Sequence, residues 1–156
     1  MKKISILILF ICSVLFAAAQ TQIVTGHPDF KVKVTRCAAS GKTVVLDMVF
    51  TNVSETDVEN WGIYTNYFTK TTVYDSEGNV YGNGYSNVLI KVSNYDYSGS
   101  HTNLKMISDV PMKVSLQIKG VPETVESLAR VDLAVYIPLF NIGNTPVKIK
   151  NIPISR

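Results

Sequence analysis

FKVKVTRCAASGKTVVLDMVF, residues 30–50, is the stretch whose reading decides the fold. Phe30, Val32 and Val34 alternate with Lys31, Lys33 and Thr35. A period of two belongs to a strand with one face in a core and the other in water. After Ala38-Ala39-Ser40-Gly41 the alternation resumes, with Val44, Leu46, Met48 and Phe50 on one face. The same residues offer a competing reading, because Gly41-Lys42-Thr43 matches the end of a phosphate-binding loop. That loop needs glycine at both ends of G-x-x-x-x-G-K-[ST], so that backbone amides converge on the phosphates, and it must open a helix. The first glycine position is Arg36, and Val44 to Phe50 is strand-like and rich in β-branched residues. Ser40-Gly41 has the chemistry of a hairpin turn, where glycine takes a positive φ without steric cost. The stretch therefore predicts two antiparallel strands joined by a turn.

The pattern extends in both directions. Residues 20–29 lack a period and contain Gly26 and Pro28, and read as a lead-in. Residues 52–57 (NVSETD) are polar and turn-rich. Further strands are predicted at 67–74, 79–82 and 87–93. Met112, Val114, Leu116 and Ile118 alternate with Lys113, Ser115, Gln117 and Lys119, and Gly120-Val121-Pro122 ends that strand, since proline cannot donate to a ladder. Residues 122–128 read as one helical turn begun by Pro122. Val131, Leu133, Val135 and Ile137 form another apolar face, and a last strand is expected at 147–152. There is no long segment of period 3.6 after the first twenty residues, and no internal repeat. Seven to nine short strands separated by turn signals predict an all-β chain folded as an antiparallel β-sandwich, with residues 30–156 as one domain.

The first nineteen residues are of another kind. Lys2 and Lys3 precede the uncharged run Ile4 to Phe16, followed by Ala17-Ala18-Ala19. A basic start, an apolar centre and small residues at the end describe a secretory signal peptide, with cleavage expected between Ala19 and Gln20. The apolar run falls short of the ~20 residues a spanning helix needs, and no later segment approaches that length. Cys12 follows the bulky Leu9, Phe10 and Ile11, which does not suit a lipidation signal. Export is thus expected, to the periplasm or the extracellular medium, with no membrane span after cleavage. Loss of Lys2 and Lys3 takes the formal charge from +3 to +1, which gives no electrostatic case for nucleic acid or anionic lipid. Of the two cysteines only Cys37 remains, so no intramolecular disulfide can form.

Motifs for catalysis are sparse. Asp75-Ser76-Glu77-Gly78-Asn79 has the start of a calcium loop, but the bidentate glutamate position is Ser86, and a hairpin turn between strands fits better. Weak metal binding by Asp75 and Glu77 stays open, and no cofactor is indicated. Cys37 has only His27 and His101 as possible imidazole partners, and a lone cysteine at a strand end is usually a small buried apolar group. Neither G-x-S-x-G nor H-E-x-x-H occurs. Asn52-Val53-Ser54 matches a glycosylation sequon, too short to weigh alone. One bias remains: residues 61–97 hold Trp61 and seven of the eight tyrosines, interleaved with Asn, Gly and Ser. Such a mixture suits adaptable binding surfaces, although tyrosine is also a good strand former and Trp61 with several of these rings is expected in the core. Tyr95 and Tyr97 lie in SNYDYSGSHTN (93–103), which reads as a loop. They are the candidate contact residues, with Tyr81 and Tyr85 from the preceding hairpin beside them.

FKVKVTRC (30–37), VVLDMVFTNVSETDV (44–58), VYDSEGNVYG (73–82), VPMKVSLQIKGVP (110–122) and VDLAVYI (131–137) together resemble secreted bacterial immunoglobulin-like domains of unknown function, similar in layout to the immunoprotective extracellular antigen type. The shared features are a T-N-x-S turn, a D-x-x-G-x-x-Y hairpin and a P-x-K-V-x-L-x-I-x-G-V-P strand. The resemblance implies an immunoglobulin-like sandwich over most of residues 30–152 and supplies no catalytic residue. The pair of cysteines that pins antibody domains is missing. The expected function is a non-catalytic, exported binding module at the cell envelope whose partner is a protein or polysaccharide. The alternatives are a carbohydrate-binding module using Tyr- and Asn-rich loops, and a small hydrolase built on Cys37 or a carboxylate pair.

Overall fold

The computed structural model describes residues 20–65, 70–82, 87–140 and 147–156. Among them the chain forms eleven strands and no α-helix. In order these are β1 (Gln22–Val24), β2 (Phe30–Ser40), β3 (Thr43–Asn52), β4 (Val58–Tyr64), β5 (Thr72–Asp75), β6 (Val80–Gly82), β7 (Val88–Val92), β8 (Ser100–Met106), β9 (Met112–Lys119), β10 (Ser127–Tyr136) and β11 (Val147–Pro153). They make two antiparallel sheets packed as a sandwich. A four-stranded sheet has the order β2-β3-β9-β7. The larger sheet runs β1-β11-β10-β4-β8, with β5 pairing β10 and β6.

The opening hairpin forms as its alternation predicts. Strands β2 and β3 pair from Phe30↔Asn52 to Ser40↔Thr43, with Gly41 at φ 54 in the two-residue turn. β3 alternates strictly between buried and half-buried positions. Val44, Leu46, Met48 and Phe50 face the interior, joined by Val114, Leu116 and Ile118 of β9 and Val88, Ile90 and Val92 of β7. The other sheet answers with Val131, Leu133 and Val135 of β10 and Ile149 and Ile152 of β11. Phe30 meets Phe50 edge-on at 5.2 Å within the four-stranded sheet, and Phe50 packs across the layers on Trp61 at 6.1 Å. Rings of this size dominate the transfer energy of a core, and truncating one to alanine costs about 3–5 kcal/mol.

Several expectations are corrected. The lead-in contains a strand, β1, which adds to the edge of β11. Residues 122–128 make a turn closed by Val125 N–H donating to the Pro122 carbonyl at 3.2 Å, and no helix. The stretch 93–103 is a loop only in its first half, because β8 begins at Ser100. Part of the strand expected at 67–74 lies outside the described residues, and its visible portion is β5. One 3-10 turn, Pro138–Phe140, places Phe140 flat against His27 at 4.5 Å and closes one end of the core. No helix of the described residues is long and apolar enough to cross a membrane.

Candidate functional site

The side chains that strict alternation keeps out of the core fall into rows on the outer face of the four-stranded sheet. One row follows directly from the register: Arg36 opposite Asp47, Asp47 opposite Ser115, Ser115 opposite Lys91. The next row sets Lys33 opposite Val49 and Val49 opposite Lys113. The β2–β3 register shifts between Val34 and Arg36, where two residues of β2 oppose one of β3. A bulge of this kind re-aims side chains. Here it leaves both Thr35 and Arg36 exposed, with the Thr35 hydroxyl donating to the Asp47 carbonyl at 3.1 Å. Thr35, Arg36, Asp47, Met48, Val49, Lys113 and Ser115 line an open depression of about 450 Å³.

Asp47 is the polar centre of this face. The Ser115 hydroxyl donates to its Oδ1 at 2.7 Å, and the Arg36 guanidinium stands 4.0 Å from its Oδ2. Tyr97 reaches the same place from the 93–99 loop. That segment turns back along the open edge of β7, where Ile90 and Ser98 exchange two backbone hydrogen bonds of 2.7 and 2.8 Å. Ser98 thereby faces as Ile90 does, and its neighbour Tyr97 falls on the outer face. Lys91 Nζ sits 5.9 Å from the centre of the Tyr97 ring. Partial burial and the Asp47 charge push the Tyr97 phenol up, while contact with the Ser115 hydroxyl draws it partly back.

The other candidates have different surroundings. Tyr95 is exposed at 58 % and leans on His101 at 5.7 Å, so it shares the loop but not the row. Tyr81, a candidate contact residue, is instead buried, with 5 % exposure and its hydroxyl bonded to Asp75. Its ring fills the interior side of the β5–β6 hairpin, which corrects its placement among the contact residues. Tyr85 lies outside the described residues, as does Ala19; Gln20 is exposed. Asp75 accepts from the backbone of Glu77 and Asn79, from the Asn79 amide and from Tyr81. A carboxylate ringed by four protein donors presents hydrogens, not lone pairs, to a cation. Among the described residues no group of three His, Cys, Asp or Glu is placed to hold a metal ion.

Cys37 is buried, and burial together with the Asp47 charge pushes its thiol up to about 12, opposite to the direction an attacking thiolate needs. Neither imidazole bonds to it: His27 Nδ1 accepts from the Asp29 backbone, and His101 Nε2 pairs with the Ile90 carbonyl at 3.0 Å. The sequon is structural as well. Asn52 is fully buried, its Oδ1 accepts from the backbone and hydroxyl of Ser54, and its Nδ2 donates to the Thr56 carbonyl at 2.7 Å.

Asp47, Ser115, Lys91 and Lys113 were not singled out by sequence. Their signal is their outward place in each alternating strand, but only the cross-strand register brings them into rows. No family model, curated protein or solved structure matches the chain.

Proposed function

We propose that the chain is a non-catalytic, exported binding module of the bacterial cell envelope, immunoglobulin-like in layout, whose contact surface is the outer face of the four-stranded sheet. The observation that carries this reading is the position of Tyr97. The backbone bonds of Ser98 to Ile90 hold the ring beside Asp47, Ser115 and Lys91, where a ligand would find a stacking face, an acceptor and donors together. A flat ring with a hydroxyl offers contact area at low entropic cost. Export rests on residues 1–19, and mass spectrometry of the exported species should give Gln20 as the first residue. Burial of the Cys37 thiol and its raised pKa weigh against the Cys37 route of the hydrolase alternative.

The test is capture of envelope protein or polysaccharide by the chain beginning at Gln20, compared with its Tyr95→Ala, Tyr97→Ala double variant. Truncating a true anchor typically removes about 2 kcal/mol or more of binding. Capture should be lost with melting nearly unchanged. Capture that survives the double substitution would place the contact surface elsewhere.

A further inference from the structure

We propose that the ligand of this face is a linear acidic polysaccharide, held by the cations that β2, β7 and β9 present around Asp47. The proposal rests on the reading of this face as the contact surface and adds the chemical class of its ligand. Lys33 and Lys113 flank Val49 in one row, and Arg36 and Lys91 end the next. Lys31 stands opposite Thr51 and Lys119 opposite Thr43, which continues the positive charge towards both ends of the sheet. With strands about 4.8 Å apart, Lys33 and Lys113 are separated by roughly 10 Å and Arg36 and Lys91 by roughly 14 Å. Such an array matches distributed charges along an extended polymer better than a single small anion.

Except for Arg36, which stands 4.0 Å from Asp47 Oδ2, these cations have no carboxylate partner among the described residues. Among the described residues none of Lys31, Lys33, Lys91, Lys113 and Lys119 takes part in an ion pair. The four strands of this sheet carry one carboxylate, Asp47, of the twelve in the chain. Asp57 and Glu59 hold Lys105, Asp132 holds Arg130, and Asp75 is enclosed in its hairpin. The small net charge therefore conceals a one-sided distribution, and a local field of one sign concentrates ligands of the other.

The neutral contacts point to sugar. Asp47, with a side chain 30 % exposed, would repel a phosphate or carboxylate but accepts hydrogen bonds from hydroxyls, and Ser115 and Thr35 add hydroxyls beside it. Tyr97 supplies one aromatic face at the margin. Single-stranded nucleic acid is usually held by successive aromatic platforms, and duplex readout needs an element that enters a groove. A sheet face with one ring and a central carboxylate has neither.

The test uses the chain from Gln20 in affinity electrophoresis and calorimetry against dextran sulfate, polygalacturonate, uncharged dextran and duplex DNA. At least one acidic polysaccharide should bind, more weakly as salt is raised. Lys33→Glu with Lys113→Glu should weaken that binding by about tenfold or more, since each reversal replaces attraction with repulsion. Lys70→Glu with Lys150→Glu, both exposed and off this face, should leave it within about twofold. Should the first pair melt early, Lys33→Ala with Lys113→Ala decides in its place. Failure of both acidic polymers to bind, equal losses in the two lysine pairs, or DNA binding as tight as the acidic polysaccharides would overturn the proposal. Binding of uncharged dextran alone, abolished by Tyr97→Ala, would overturn the acidic class and leave the face as the contact surface. Envelope capture that Tyr95→Ala with Tyr97→Ala does not disturb would overturn both.

Discussion

The phenol of Tyr81 donates a 2.6 Å hydrogen bond to Oδ2 of Asp75 across the β5–β6 hairpin. Asp75 Oδ1 accepts from the backbone of Glu77 and Asn79 at 2.9 and 2.8 Å, and Gly78 turns the chain at φ 89. The D-x-x-G-x-x-Y pattern is thus a local device: the carboxylate nucleates the turn and the tyrosine, returning on the next strand, locks it. The hairpin is legible in the sequence but the inward place of the tyrosine is not, because a hydroxyl that finds a buried carboxylate can go inside.

Asp75 should set part of the acid limit of the fold. Burial alone pushes its carboxyl up, but the donors Tyr81, Asn79 and Glu77 outweigh it and the pKa lies below the ordinary carboxylate value. A depressed folded pKa contributes stability that is present above the unfolded value of about 4 and is lost as pH falls through the folded one. Tyr81 is shifted the opposite way, upward, by burial first and then by Asp75. Its contribution is complete below about pH 10 and is lost as pH rises through the folded value. Asp75→Ala strands the phenol and two backbone N–H groups and should cost about 3 kcal/mol at neutral pH. Urea melts of wild type and Asp75→Asn between pH 2 and pH 7 test the sign, roughly spanning the carboxylate range. The variant should lose less stability on acidification.

Gly82 and Gly78 make a matched pair. Both have positive φ, 84 and 89. A Cβ on Gly82 would stand 2.4 Å from the Thr71 carbonyl oxygen, whereas one on Gly78 would meet nothing within 4 Å. Gly78→Ala should cost about 1–2 kcal/mol, the ordinary left-handed penalty. Gly82→Ala should cost clearly more, because backbone must also move. Equal thermal shifts would show that β6 yields at no cost.

The limits of sequence reading are physical. Strictly alternating strands with one wet face, β3 and β9, were legible almost to the residue. β4 was not, because Trp61, Gly62 and Ile63 are buried in succession and Asn60 at φ 55 breaks its phase. β8 carries a run of polar and half-buried positions, with Asn103 at φ 54. Of the proposed contact face, Tyr97 was legible as a ring in a polar segment. Its neighbours Asp47, Ser115 and Lys91 come from strands far apart in sequence, and alternation tells which face a residue takes but not what stands opposite.

Asn52 should be a stability residue. It is fully buried, and its amide joins the end of β3 to the turn through Ser54 and Thr56. The Asn52 carbonyl also accepts from Asp109 N–H at 2.8 Å, which ties the turn to the loop before β9. Asn52→Ala should cost about 2 kcal/mol by leaving buried partners unpaired. Asn52→Asp should cost more at neutral pH, since a carboxylate would face the Thr56 carbonyl, and should recover as the pH falls towards about 4. Denaturant melts at the two pH values separate the cases.

Cys37 reports on how the carboxyl-terminal tail covers the edge of β2. The Ser155 backbone and hydroxyl both donate to the Cys37 carbonyl at 2.9 Å, and Ala39 N–H donates to the Ser155 carbonyl at 2.9 Å. Arg156 reaches on to the carbonyls of Pro122 and Val125. The thiol beneath is 7 % exposed, and burial followed by the Asp47 charge raises its pKa from 9.0 to about 12. A raised folded pKa means that stability is complete below the unfolded thiol value and falls as pH rises towards the folded one, so the neutral thiol costs nothing at physiological pH. Alkylation requires the thiolate and access, and both are withheld. A maleimide at pH 8 should therefore label the intact protein slowly and the denatured protein at once. Ser155→Pro removes the N–H and hydroxyl donors together and should speed native labelling several-fold while moving the melting temperature little, because the tail can open without the sandwich unfolding. Labelling that is slow in both proteins would show that the core alone guards the thiol. Rapid labelling of the intact protein would mean that Cys37 ionises in the fold, and the reading of it as a nucleophile would return.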